Sequence, residues 1–110
     1  MKTKKFHILC ASFVLLAGAL STAIAEDAKP EGAQLFMNKG CVGCHGMDGR
    51  TPLTPLYPKV AGQRAGYLAN QLRDIKSGSR KNGQSVVMAG IMAGVSDEEI
   101  QVLANWLSTQ

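Results

Sequence analysis

The stretch that decides the fold is Cys41-Val42-Gly43-Cys44-His45. Two cysteines three positions apart on a turn of helix can form thioether bonds to the two vinyl groups of a haem. The histidine directly after them is then placed under the iron as its proximal ligand. The motif therefore predicts one covalently bound haem c, attached through Cys41 and Cys44, with His45 as an iron ligand.

Three other interpretations of this motif fit the rest of the chain less well. A thioredoxin-like redox pair belongs at the start of a helix in a βαβ unit, and no strand pattern flanks the motif. A structural zinc site needs two more Cys or His ligands, and none follows His45. A disulfide between the two cysteines closes a loop too small to stabilise a fold much. We therefore favour haem attachment.

The N-terminal segment is typical of a cleaved secretory signal peptide. Three lysines lie within the first five residues, an apolar segment follows over about 8–20, and Ala23-Ile24-Ala25 has the small-x-small pattern of a cleavage site. The apolar segment is shorter than the ~20 residues that span a bilayer, which favours cleavage over a retained anchor. We expect residues 1–25 to be removed during export to the periplasm. Residues 26–110 then form one monohaem domain without stable membrane insertion.

Removing the signal changes what the composition implies. The whole chain has 12 Lys+Arg and 8 Asp+Glu, a formal charge of +4, but residues 26–110 keep nine basic and eight acidic residues, a charge of +1. This balance gives no reason to expect a nucleic-acid partner. The 85 remaining residues include only four aromatic side chains, so a haem at the centre of the core would supply apolar volume that the chain lacks.

Three segments have the apolar periodicity of helices, and none alternates convincingly with the period of a strand. They span about 31–39, about 65–76 with Gly78 as a C-terminal cap, and a last helix opened by a capping box between Ser96 and Glu99. The sequence therefore predicts an all-α fold with three main helices around one haem. The residues on the apolar faces are Gly32, Leu35 and Phe36, then Leu68, Leu72 and Ile75, then Ile100, Leu103, Ala104 and Leu107, widened by Val102 and Trp106.

The second axial ligand of the iron is expected to be a methionine, because no second histidine follows the signal. Met47, two residues after the proximal histidine, is too close to reach the other haem face. Met37 lies one turn before the motif, on what we interpret as the same helix, and is expected to pack in the core. Met88 and Met92 lie in a Gly-rich segment, 83–95, interpreted as a loop that reaches the distal face. Spacing alone leaves these two as alternatives.

With these residues in place, the chain resembles the class I (mitochondrial-type) bacterial cytochromes c, and most of all single domains of the dihaem periplasmic cytochromes c. The resemblance covers nearly all of residues 26–110 and implies the class I cytochrome c fold, in which the first helix packs on the last. Only one haem motif is present, so the chain departs from the dihaem pattern. The matching segments are Cys41-Val-Gly-Cys-His45-Gly-x-Asp48-Gly49, Pro58-Lys59-Val-Ala-Gly62-Gln63, Tyr67-Leu68-x-x-Gln71-Leu72-x-Asp74-Ile75-Lys76-x-Gly78, and Met88-x-Gly90 eight residues before Ser96.

The resemblance also implies roles for particular residues. The axial methionine of that subgroup matches Met88, which leaves Met92 as the fallback. A proline carbonyl that accepts the ring N–H of the proximal histidine matches Pro58. The loop before it is one residue longer than in the subgroup pattern, so Pro55 remains an alternative for the tight turn of that loop.

A haem with His and Met axial ligands has no open coordination position, which implies one-electron transfer and no enzymatic activity. We expect a monomeric periplasmic carrier between a dehydrogenase or quinol-oxidising complex and a terminal oxidase or reductase. Its redox partner proteins would dock transiently at the exposed haem edge. The alternative is a tightly bound haem subunit of a periplasmic dehydrogenase such as a flavocytochrome c sulfide dehydrogenase. A third hypothesis is a gas-binding or peroxidatic haem protein with a labile distal position.

Overall fold

The computed structural model describes residues 30–110, and within them it contains five helices and no strand. The all-α class I fold predicted from the sequence is thereby confirmed in its secondary structure. The predicted signal peptide, residues 1–25, lies outside the described residues. The helices are α1 (Glu31–Asn38), α2 (Val42–His45), α3 (Ala65–Ser77), α4 (Ser85–Met92) and α5 (Asp97–Ser108).

Helices α3 and α5 begin and end close to where their sequence signals predict. Gly78 ends α3 in the left-handed conformation, with φ of +78°, which is the geometry that favours glycine after a helix. At the start of α5, Ser96 Oγ accepts a hydrogen bond from Glu99 N at 3.1 Å, and Ser96 N donates to Glu99 Oε2 at 2.9 Å. The predicted capping box is therefore confirmed.

Helix α1 packs against α5 through a very close contact at Gly32. A Cβ at this position would overlap Trp106 Cβ and lie 2.6 Å from Trp106 Cγ. The Phe36 ring lies 5.2 Å from the Trp106 ring, centroid to centroid, at an interplanar angle of 47°, within the usual range for a favourable aromatic pair. Glycine at position 32 therefore lets α1 come near enough to α5 for Phe36 to enter the core.

A single apolar cluster joins four of the five helices. Helix α5 lies against both α1 and α3, and α3 also packs against α4. The members of this cluster include the inward faces that the sequence periodicity predicted for the three main helices. Its buried residues are Phe36, Leu68, Ala69, Leu72, Ile75, Met92, Val95, Ile100, Leu103, Ala104 and Leu107.

The segment 83–95, interpreted above as a loop, instead contains helix α4, so that interpretation is wrong. Its inward residues recur with helical spacing: Ser85 and Met92 are buried, and Met88 and Ala89 are half-buried. The stripe was hard to recognise because the exposed residues between its members, Val86, Val87 and Ile91, are apolar as well. Packing on α3 outweighs the modest helix propensities of the β-branched residues and of Gly90.

The expectation for Met37 is also wrong. Helix α1 ends at Asn38, before Cys41, so Met37 and the haem motif lie on different helices. The Met37 residue is 37% exposed and lies outside the apolar cluster. The chain turns between the two helices, with Cys41 N donating to Phe36 O at 3.0 Å.

None of the helices within residues 30–110 has both the length and the apolar character needed to cross a membrane.

Candidate haem site

A cavity of ≈590 Å³ is lined by residues from both α2 and α4. Its volume lies within the range of about 300–1,000 Å³ that is usual for cofactor pockets. The motif contributes Cys41, Cys44 and His45 to its wall, and α4 contributes Met88 and Met92. The structure thus brings the residues that the sequence singled out to a single cavity.

One side of this cavity is organised around His45, the predicted proximal ligand, which is buried in the last position of α2. Its Nδ1 atom lies 2.8 Å from the carbonyl oxygen of Pro58. Because a carbonyl only accepts hydrogen bonds, Nδ1 carries the proton and Nε2 keeps its lone pair for a metal. Pro55 and Pro58 both line the cavity, and the carbonyl group of Pro58 accepts this hydrogen bond.

The loop that delivers Pro58 depends on a sharp turn directly after His45. Gly46 has φ of +80°, and a Cβ there would overlap Thr51 O and lie 2.9 Å from Thr51 C. A side chain at this position would therefore meet both backbone strain and a steric clash. The returning chain is then tied to α2, since Leu53 N donates to Cys44 O at 3.1 Å.

The two motif cysteines are free and half-buried in the cavity wall. Burial raises the pKa of the Cys41 thiol to about 11. Redox-active Cys-x-x-Cys pairs have the opposite property, because their reactive thiol has a lowered pKa. The surroundings of Cys41 therefore argue against a thioredoxin-like pair and fit thioether attachment.

The two candidate distal ligands lie one turn apart on the same face of α4 but in different surroundings. Met92 is 1% exposed and belongs to the apolar cluster, whereas Met88 is half-buried and packs at the edge of that cluster. Both side chains line the cavity, but protein atoms enclose Met92, while Met88 keeps accessible surface. Met47 is 64% exposed and is not part of the cavity wall.

The charged groups of the wall suit an anionic ligand. Besides His45, the ionisable cations that line the cavity are Lys59 and Arg80, and no carboxylate among the described residues lines it. The Arg80 guanidinium is oriented by Gln71, whose Oε1 accepts from Arg80 Nη1 at 2.7 Å. A haem has an apolar macrocycle with propionate carboxylates, so a largely apolar wall with two cations fits this group.

Gln71 and Arg80 were not predicted from the sequence as part of the haem site. These residues are nine positions apart and far from the motif in sequence, and they meet because the chain reverses after Gly78. The available signal was the pattern of polar residues around that helix end, which is equally typical of a solvated surface.

The sequence model of the Cytochrome c family matches residues 30–110. The chain belongs to the cytochrome c family. It is 41% identical over 70 residues to cytochrome c-554(548) of Halomonas halodenitrificans, covering 64% of this chain and 83% of that protein. It is 33% identical over 105 residues to cytochrome c-553 of Nitratidesulfovibrio vulgaris, covering 96% of this chain and 97% of the relative.

Among solved structures, the chain is similar to reduced recombinant cytochrome c4 from Pseudomonas stutzeri, with a TM-score of 0.61 and 34% identity. The match covers 70% of this chain and 45% of the cytochrome c4 chain. The chain therefore spans less than half of that protein, but most of the two shorter cytochromes. This similarity confirms the predicted resemblance to a single domain of the dihaem cytochromes c.

Family membership also confirms the predicted cofactor. A cytochrome c domain of this size holds one covalently bound c-type haem, and the family consists of electron carriers. The cavity, its free cysteines and its two cationic side chains fit that group.

Proposed function

We propose that this protein is a periplasmic one-electron carrier whose haem is attached through Cys41 and Cys44 and ligated by His45 and Met88. The observation that carries the proposal is the shared cavity. His45, with its Nδ1 hydrogen-bonded to Pro58 O, and Met88, which is only half-buried, both lie in its wall. This pairing offers an imidazole nitrogen and a thioether sulfur, the ligand set of electron-transfer cytochromes c.

When bound, the haem supplies one-electron transfer between ferric and ferrous iron. The chain's own contribution is to keep both ligand side chains in place and to limit the access of water. The Pro58 carbonyl fixes the orientation and tautomer of His45. A methionine as second ligand raises the reduction potential relative to a second histidine, and the buried apolar cluster beneath Met88 acts in the same direction.

The rim of the cavity is suited to brief contacts with redox partners. Leu56, Tyr67 and Val87 line the cavity and are also more than half exposed. Apolar groups at the rim let a partner approach the haem edge without first having to displace tightly bound water. A small interface of this kind favours rapid dissociation, as a carrier requires. The proposed partners are a dehydrogenase or quinol-oxidising complex as donor and a terminal oxidase or reductase as acceptor.

The periplasmic location rests on the signal-like pattern of residues 1–25. Fractionation of cells that express the full chain, followed by N-terminal sequencing of the haem-stained protein, tests this part. We expect the haem protein in the periplasmic fraction with Glu26 as its first residue. An uncleaved chain in the membrane fraction would contradict the proposal.

A haem subunit of a periplasmic dehydrogenase, such as a flavocytochrome c sulfide dehydrogenase, is the second candidate. Leu53 and Val86 favour it, because both are 65% exposed and lie outside the cavity wall. A permanent partner would cover such side chains, whereas a carrier leaves them in water.

Purification of the native protein from its own periplasm separates these candidates. A carrier should elute from size exclusion as a monomer, and its reduced form should not bind carbon monoxide at neutral pH. Stoichiometric co-purification with a flavoprotein would favour the subunit hypothesis. Ready binding of carbon monoxide would contradict both and point to a gas-binding or peroxidatic haem.

A further inference from the structure

Helix α4 is packed on one side only. Its principal helix neighbour is α3, whereas α3 and α5 each pack against two helices. Val86, on its outward side, is 65% exposed. The helix that carries both candidate methionines is therefore held mainly by its packing on α3.

The C-terminal end of α4 has a different kind of support. The chain after it turns through Gly94 and Val95 before α5 begins. Lys39 Nζ donates to Gly94 O at 2.7 Å, and Lys76 Nζ donates to Val95 O at 2.6 Å. We call these two side chains and the two carbonyl groups the lysine clamp. It ties the end of α1 and the last turn of α3 to the turn that follows α4.

Electrostatics make these two contacts stronger than ordinary backbone hydrogen bonds. Gly94 O and Val95 O lie in the turn between α4 and α5, and each accepts from an ammonium group. Hydrogen bonds with one charged partner are also shorter and stronger than neutral ones. Lys39 is held further by an ion pair, with its Nζ 2.9 Å from Glu99 Oε2, and both side chains are only about a quarter to a third exposed. Partial burial limits screening by salt.

From these contacts we propose that Lys39 and Lys76 are positioning residues that hold α4 so that Met88 stays on the iron. This inference rests on the proposed role of Met88 as distal ligand. A neutral thioether leaves iron more readily than an imidazole does, so the bond lasts only if α4 cannot move away when it breaks. Lys39 also lies two residues before Cys41, so one side chain links the haem-attachment segment to the distal helix.

The test uses the holoprotein and the variants Lys39→Met and Lys76→Met. Methionine keeps the apolar length of the lysine stem but donates no hydrogen bond. Lys81→Met is the matched control, because Lys81 is exposed and makes no hydrogen bond or ion pair among the described residues. Imidazole is titrated into the ferric protein, where it binds only when the methionine has left the iron. In parallel, guanidinium titrations follow the methionine–iron charge-transfer band and the far-UV helicity.

We expect each clamp variant to bind imidazole about tenfold more tightly than the wild type, since losing a charge-assisted hydrogen bond is worth that much or more. The charge-transfer band should disappear at a guanidinium concentration that leaves helicity intact. Lys81→Met should bind imidazole as the wild type does. Lys76→Arg keeps a charged donor, so its imidazole affinity should stay close to that of the wild type. Glu99→Gln removes the ion pair but leaves the carbonyl contact of Lys39, so its effect should be smaller than that of Lys39→Met.

Two outcomes would overturn the lysine clamp. One is unchanged imidazole affinity in both lysine variants, and the other is loss of the band and of helicity together, which is what a merely structural role produces. Failure of the proposed ligand has a separate signature, because a wild-type protein without the charge-transfer band would contradict Met88 whatever the lysine variants do.

Discussion

The two proposed iron ligands are held by different kinds of contact. His45 is buried at the end of α2, four residues after the first cysteine of its own motif, and is oriented by a backbone carbonyl of the loop that follows. Met88 lies on a helix that packs mainly on α3 and exposes apolar side chains on its outward side. The end of that helix is tied by Lys39 and Lys76, which come from two other helices.

This difference predicts that the distal side opens before the proximal side does. The contacts around His45 are close in sequence or made by the backbone, so they persist unless the whole loop unfolds. The contacts of α4 are mostly tertiary, and their loss can be local. The substitutions described next are expected either to increase or to remove this difference between the two sides.

The largest effect is expected for replacement of the proposed distal ligand. Met88→Ala should abolish the methionine–iron charge-transfer band and lower the reduction potential, since water or an external ligand would replace the thioether. Visible spectroscopy and a redox titration of the holoprotein measure both quantities.

Met92→Ala is the matched comparison, one helical turn away. It should keep the band but lower the free energy of unfolding by about 2–5 kcal/mol, because Met92 is 1% exposed in the apolar cluster. If Met92→Ala removes the band and Met88→Ala keeps it, the ligand assignment is wrong.

A smaller loss of stability is expected from a substitution that crowds the contact between α1 and α5. Gly32→Ala places a Cβ within the Trp106 side chain, and we expect it to reduce the free energy of unfolding by roughly 1–3 kcal/mol. Because this contact joins α1 to α5 and does not involve α4, the charge-transfer band and the helicity should be lost in one transition during guanidinium denaturation.

The control for this substitution is Gly66→Ala, at an exposed position of α3 where a Cβ meets no atom within 4 Å. Alanine there should raise stability by about 0.5–1 kcal/mol, since it lowers the entropy of the unfolded chain and favours helix. Equal destabilisation by both substitutions would mean that the contact with Trp106 is not the cause.

The smallest effect concerns the pH dependence of the Glu99 contacts. The hydrogen bond from Lys39, and then that from Ser96 N, lower the pKa of Glu99 from its ordinary value of 4.5. A carboxyl group with a lowered folded-state pKa stabilises the protein at pH values above 4.5. This contribution is lost as the pH falls below 4.5 through the folded-state pKa.

The stability difference between the wild type and Glu99→Gln should therefore be present at neutral pH and shrink in acid. Denaturant titrations at several pH values measure it, with Glu98→Gln as the control on the same helix turn. A difference that stays constant across the acidic range would show that the ionised carboxylate does not contribute through these contacts.

Much of the helical framework could be predicted because its signals are local. Apolar residues on one face marked α1, α3 and α5, and the capping box of Ser96 and Glu99 marked where α5 begins. Such patterns reflect which side of a helix is buried and which amide groups need partners. Both can be recognised within a segment of about a dozen residues. The motif cysteines and His45 belong to the same class, because one turn of helix sets their spacing.

Helix α4 could not be predicted in the same way. Its outward residues are as apolar as its inward ones, so no periodic contrast distinguishes a helix from a loop. The exposed position of Met37 and the pairing of Arg80 with Gln71 could not be predicted from the sequence either. Each depends on which segments the folded chain brings together.

By itself the sequence determined the covalent haem and the helical class, and it predicted His45 as the proximal ligand, because those features follow from covalent spacing and local hydrogen bonding. Only the tertiary structure distinguished the surroundings of Met88 from those of Met92, and only it showed that the Pro58 carbonyl, which the resemblance had matched to this role, lies at His45 Nδ1. It alone also brought Lys39 and Lys76 to the end of α4. These are long-range contacts, and their geometry depends on how helices distant in sequence pack around a common core.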